Sequence, residues 1–379
     1  MVVTKRAYVF LVLMLGCYIS QAQQKNVLQR TINWSYRLVQ GDSAHPKKKY
    51  FFAVPIISYK PETRWQFGLS LSHFFRAKST DSLTRPSVIR LNSTYTQNHQ
   101  FSIRPMFDVF TAGNKYSIRG LFQYTQFVEN YWGVGSNLPS SNKESYSFKQ
   151  HKALVKVAKK VKPGLYIGAD INYENLYNLT YAATSALKNA TIIGAQGYHV
   201  LGVGPILTFD TRNNLYYPNQ GHFIDVAATV YSKQVLSSSS FQNITIDARK
   251  YFALNNTDVL AVQCYTNFNW GNVPYRLMGT LGNESYFRGY YQGRYRDINA
   301  ITLQAEWRKH IWGPAGVVLF GGAGNVSTNY ANLVSHIKPM YGAGLRIMAI
   351  PREKINMRFD VAFGSQNSQT FYVTLNEAF

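Results

Sequence analysis

The feature that most constrains this chain is an alternation of apolar and polar residues with a period of two, which runs from Tyr50 to Phe379. In the stretch Ala300 to Ile311, one face reads Ile301, Leu303, Ala305 and Trp307. The other reads Thr302, Gln304, Glu306, Arg308 and His310. Between Lys354 and Phe363, Ile355, Met357, Phe359, Val361 and Phe363 alternate with Asn356, Arg358 and Asp360. Successive side chains of a strand point to opposite faces, so each such segment has one apolar face and one hydrated, often charged face.

Two architectures produce that pattern. A soluble sandwich buries the apolar face against a second sheet, whereas a membrane barrel turns it to lipid and keeps the polar face inside. Length decides between them. Globular strands average about 5–6 residues and tilted membrane strands need about 9–11. The segments here are Tyr50–Tyr59, Trp65–Arg76, Val88–Gln97, Gln100–Phe110, Lys115–Phe127, Tyr146–Lys159, Gly164–Tyr177 and Gln196–Thr211. The second half is His222–Val235, Phe241–Leu254, Thr257–Trp270, Asn299–Ile311, Ala315–Val326, Ile337–Ile350, Glu353–Gly364 and Gln369–Phe379. The expected fold is all-β: a transmembrane antiparallel β-barrel of about sixteen strands. The connections alternate in length. Ala112-Gly113, Lys160 to Pro163, Asn255-Asn256, Gly313-Pro314 and Pro351-Arg352 are short, while Val128 to Ser145, Asn178 to Ala195 and Gly271 to Ile298 are long. Short periplasmic turns and long external loops give this alternation when the N-terminus lies inside. Ala77 to Ser87, a long connection on the inner side, fits this pattern least.

The N-terminus reads as an export signal. Lys5 and Arg6 precede an apolar run from Ala7 to Ile19, with small residues at Ser20 and Ala22. The domain plan is therefore a signal peptide over 1–22, a short periplasmic lead-in over 23–49 and an outer-membrane barrel over 50–379. Cleavage after Ala22 removes Cys17 and leaves Cys264 alone, so neither a disulfide framework nor a cysteine-based zinc site is expected. Forty Lys and Arg against eighteen Asp and Glu give a net charge of +22. In an exported chain this points away from nucleic acid and toward outer-membrane lipid and lipopolysaccharide. An aromatic content of 15%, with 28 tyrosines against 6 tryptophans, suits a membrane interface.

Three local motifs stand out from the pattern. Phe371, Val373, Leu375 and Phe379 place apolar residues on one face of the final segment and end it on an aromatic, like the C-terminal sorting strand of outer-membrane barrels. Phe209-Asp210-Thr211-Arg212-Asn213, with Pro218 and Gly221, forms a turn between the eighth and ninth segments. A basic, tyrosine-rich loop carrying Arg288-Gly289-Tyr290 and Asp297 separates the eleventh and twelfth. Taken together, these residues resemble the BamA/TamA family, the bacterial surface antigen barrels. The resemblance covers about Tyr50 to Phe379. It implies that the Arg288 loop folds into the lumen and meets acidic groups on the wall. Glu306, in Ala305-Glu306-Trp307-Arg308, stands at the family's acidic strand position. Asp210, Arg212, Pro218 and Gly221 match the family's turn. Two departures are visible. Gly322 occupies the place of the family's second acidic partner, which passes that role to Glu306 or Asp297. The residues 23–49 are too few for one of the family's client-capturing POTRA domains.

The function that the resemblance implies is help with protein insertion or transport across the outer membrane, through the lumen or the seam between the first and last strands. A periplasmic partner or client outer-membrane chains are the expected associates. The alternative is a passive, anion-favouring pore or a structural barrel, lined by Arg104, Arg249, Arg308 and Arg358. An enzyme is not expected. There is no Gly-x-Ser-x-Gly, and His151, His199, His222, His310 and His336 are scattered without metal-ligand spacing, so no catalytic residues, metal or cofactor are assigned.

Overall fold

A sheet whose charged face is buried and whose apolar face is exposed inverts the rule for soluble proteins, and that inversion organises this molecule. On the strand Asn299–Trp312, Thr302, Gln304, Glu306 and Arg308 are buried, with Glu306 fully so, while Leu303 is 53% exposed. The neighbouring strands do the same: Leu319, Leu345, Val361 and Phe371 all stand out from the outer face. Exposing a row of large apolar residues is tolerable only where the surroundings are themselves apolar.

The computed structural model describes residues 50–60, 64–77, 84–183, 185–189, 191–351 and 353–379. The expected signal peptide and lead-in lie outside the described residues. The strands are β1 Tyr50–Lys60, β2 Arg64–Phe75, β3 Ser87–Thr96, β4 Phe101–Phe110, β5 Tyr116–Tyr131, β6 Glu144–Lys162, β7 Leu165–Tyr181 and β8 Tyr198–Asp210. They continue with β9 Gly221–Tyr231, β10 Phe241–Ala253, β11 Asp258–Gly271, the two-residue pair β12 Gly279–Thr280 and β13 Arg296–Asp297, then β14 Asn299–Trp312 and β15 Ala315–Ser327. β16 Lys338–Ile350, β17 Ile355–Gly364 and β18 Gln369–Leu375 complete the set. Apart from β12 and β13, which pair with each other inside a loop, these strands form one 16-stranded antiparallel sheet in sequence order.

The sheet curls round so that its ends meet. Arg76, just past β2, reaches Glu353 in the β16–β17 turn at 3.5 Å. Arg119 on β5 binds Asp225 on β9 across the interior at 2.7 Å. The edge strands β1 and β18 touch. Among the described residues, however, no register of paired residues runs between them, and β18 has only 7 residues against 11 in β1.

The observed strands match the sixteen expected segments to within a few residues, with one informative exception. The final strand stops at Leu375 rather than running to Phe379. Asn376 adopts φ 73, a left-handed conformation that Asn tolerates, and turns the chain inward. Phe379 is therefore buried with Tyr251, Ala261 and Ala378 instead of sharing the outer face of Phe371 and Val373. The expectation of one continuous apolar face over those four residues is corrected accordingly.

Leu345 sits on the outer face about halfway along β16, paired with Val317 and Phe359. Replacing it with arginine is expected to destabilise the barrel in lipid vesicles by about 2–4 kcal/mol, the cost of a basic side chain near the bilayer midplane. Denaturant unfolding measures this, and an unchanged midpoint would mean that this face does not meet hydrocarbon.

Candidate functional site

The 27 residues between β11 and β14 do not stay outside. Three glycines with positive φ, Gly282, Gly289 and Gly293, let the backbone double back. Mutual main-chain hydrogen bonds between Asn283 and Phe287 pin its tip. Gly289 is required by space as well as by its φ of 91: a Cβ there would lie 2.6 Å from the Phe363 carbonyl oxygen. The loop descends along β11, β14, β17 and β18. Tyr286 stacks on Tyr265 at 4.2 Å. The Gly289 amide donates to Thr370 Oγ1 at 3.1 Å, and the Tyr290 hydroxyl donates to the Pro339 carbonyl at 2.5 Å. Phe287, Tyr290 and Tyr295 join Leu281, Val318 and Phe320 in a buried cluster.

At the deepest point, the Arg288 guanidinium meets Glu306 at 2.5 Å and Asp360 at 2.7 Å, and all three side chains are fully buried. The guanidinium also lies 3.5 Å from the centre of the Phe320 ring. Removing a charge from water is costly unless it is paired and hydrogen-bonded, and this arginine has two carboxylates and an aromatic face. Around it stand further charges. Arg308 binds Glu306 at 2.9 Å; Arg346 binds Asp360 at 2.6 Å and Glu377 at 2.7 Å; Arg358 lies 3.5 Å from Asp360. Arg308 also donates to the main-chain oxygen of Phe379 at 2.8 Å. Four guanidiniums thus share three carboxylates.

The site therefore gathers Arg288, Gly289, Tyr290 and Glu306 but not Asp297. Asp297 lies at the end of the loop, away from Arg288, and accepts from Thr328 Oγ1 at 2.6 Å and from the Ile298 amide. The second acid is Asp360, which the alternation had already turned to the lumen. Arg346 and Glu377 were not foreseen. Glu377 interrupts the expected outer face of the last segment, and that interruption was the available sign that the chain turns inward there.

Asp210 and Arg212 form a second assembly at the inner turn. Asp210 accepts from Arg212 Nε and Nη2, both at 2.9 Å, and from Arg85 Nη1 at 2.6 Å. Arg212 stacks over Phe223 at 4.4 Å, and Pro218 is buried. A Cβ at Gly221 would lie 2.3 Å from the Thr211 carbonyl oxygen, so the turn closes only on glycine. Arg85 comes from the long inner connection between β2 and β3, the one that fitted the turn-length pattern least. At the opposite end, Arg276 and Arg296 both pair with Glu129 beneath an aromatic cluster of Tyr131, Tyr146, Phe148 and Tyr275. Burial pushes the Tyr275 hydroxyl well above its usual pKa, so it stays protonated.

An antiparallel barrel with an apolar belt, short inner turns and an arginine-bearing loop clasped in its lumen is an outer-membrane protein in class. The chain belongs to the Omp85 superfamily, whose domain matches residues 122–379. Among solved structures it is similar to BamA from Haemophilus ducreyi, crystallised without POTRA domains 1–3. That match has 13% identity and a TM-score of 0.54, covering 86% of this chain and 69% of that one. CdiB from Escherichia coli matches at 10% identity and a TM-score of 0.55, covering 86% of this chain and 62% of that one. CdiB from Acinetobacter baumannii matches at 10% identity and 0.53, covering 86% and 59%. The chain thus spans less than two thirds of either CdiB chain. At these identities the likeness is one of fold. No curated protein matches the chain.

Replacing Arg288 with alanine removes the guanidinium that bridges Glu306 and Asp360, leaving Glu306 to Arg308 and Asp360 to Arg346 and Arg358. The expected loss of stability is about 1.5–3 kcal/mol, the worth of hydrogen bonds to a charged group, with the loop over 272–298 becoming open to external protease. Heat-modifiability on gels and limited proteolysis measure both.

Proposed function

We propose that this barrel assists the insertion or transport of outer-membrane chains through the seam between β1 and β18. The observation that carries the reading is the edge described above: the two terminal strands touch without a register of paired residues, and one is short. Unpaired strand edges offer N–H and C=O groups to an incoming strand, which is the physical basis of strand addition. Membership of the Omp85 superfamily and likeness to the BamA and CdiB barrels support it.

The arginine loop bears on the same edge. Its contacts to Asp360, Thr370 and Ser365 fall on β17, β18 and the turn between them. A loop fastened to the last two strands sets how freely the last strand departs. The lumen is a poor route for a chain, because the loop fills it along β11 and β14–β18 and the aromatic cluster covers the outer ends of β5–β10. Client capture is assigned to a separate periplasmic partner, the associate expected from the sequence. The reading gives the protein no catalytic chemistry.

Cysteine pairs introduced between β1 and β18, in a Cys264→Ser background, test the seam. Oxidation is expected to abolish insertion of a reporter outer-membrane chain into proteoliposomes, and reduction to restore it. Full insertion by the locked barrel would sink the reading. Planar-bilayer recordings are expected to show no steady conductance; a steady anion-selective current would favour the pore instead.

A further inference from the structure

The lumen holds a cavity of about 350 Å³ that meets the loop clasp only at Glu377. It lies toward the inner turns, bounded by the inner parts of β3–β5 and β7–β10, the Asp210 turn and the inward tail at 376–379. That volume falls at the lower end of small-ligand pockets, about 300–1,000 Å³.

Its charges do not cancel. Asp210 is shared by two cations, Arg85 and Arg212. Asp225 is also shared by two, Arg119 at 2.7 Å and Lys156 at 2.7 Å. Arg249 has Asp247 to itself. Arg90 lines the cavity and donates only to Ser72 Oγ, at 3.2 Å; among the described residues no carboxylate lies within ion-pair distance of it. Asp108, on the adjoining strand, also lines the cavity, and its buried Oδ1 has no hydrogen-bond partner. Glu377 also lines the cavity but is neutralised by Arg346 at 2.7 Å; the remaining set holds six cations against four carboxylates, an excess of two positive charges in a partly dehydrated space.

We propose that this cavity binds a phosphate-class dianion, held by Arg90 and flanked by Arg119 and Arg85. A doubly charged anion neutralises the excess, and a guanidinium presents paired N–H donors that match phosphate oxygens. Asp108 opposes the ligand, so its charge sets an upper limit on affinity. The ligand is either a free phosphate compound or a phospholipid headgroup reaching in from the inner leaflet. The proposal is independent of the seam reading.

The test uses the full-length barrel in a non-ionic detergent and phosphate-free buffer at constant ionic strength. Inorganic phosphate, and separately a short-chain phosphatidic acid, are titrated by calorimetry. Saturable binding is expected, with preference between the two probes identifying the source. R90Q is expected to weaken binding about tenfold, one charge-assisted contact, and D108N to tighten it. Heat-modifiability checks that each variant is folded, and D108N carries the test if R90Q is not. No saturable binding of either probe, or equal affinity for the parent and both variants, would overturn the proposal.

Discussion

Everything in this structure depends on keeping charge away from lipid. The apolar side chains go outward because hydrocarbon receives them, and this forces the charged ones inward, where water is scarce. The cost of that arrangement is met by pairing: Arg288, Arg308, Arg346 and Arg358 share Glu306, Asp360 and Glu377. A loop that supplies one of those arginines is then part of the interior rather than an ornament on the rim. Its fastening follows from electrostatics, and its path follows from three glycines and a set of tyrosines that fit between strands.

The same interior gives a reason for the contrast between the chain's two ends. β5, β6 and β7 are braced through the lumen by long-range pairs, such as those that Asp225 and Glu129 make. β18 is short, and the loop holds it mostly by hydrogen bonds. The loop thus ties both sides of the barrel, β5 through Arg276 and Arg296 and β17–β18 through Arg288 and Gly289, and the short last strand rests on it rather than on a register with β1.

Much of this was legible in the sequence, and the reasons differ from element to element. The strands were legible because each face meets a different solvent, so period two persists even where local propensity is mixed. Glu306 was legible because its parity on the segment after the loop settles which way it points. Asp360 had the right parity too, but its partnership with Arg288 depends on how far the sheet curls, which no local pattern records. Asp297 was misassigned because nearness in sequence stood in for nearness in space. Phe379 was misassigned because one residue, Asn376, steps into a left-handed conformation and turns the whole tail after it into the interior. The doubled cations on Asp210 and Asp225 join the β2–β3 connection, β5, β6, β8 and β9, a convergence that only the curled sheet creates.

The strands are also unequal in height. β6 has 19 residues and β7 has 17, well beyond the roughly 9–11 needed to cross a bilayer, whereas β17 has 10 and β18 has 7. The surplus lies at the outer ends. The barrel wall is therefore tall at β6 and β7 and low at β17 and β18. The low stretch ends at β18, the edge that the proposed seam uses, so on that reading a client strand meets the shortest part of the wall.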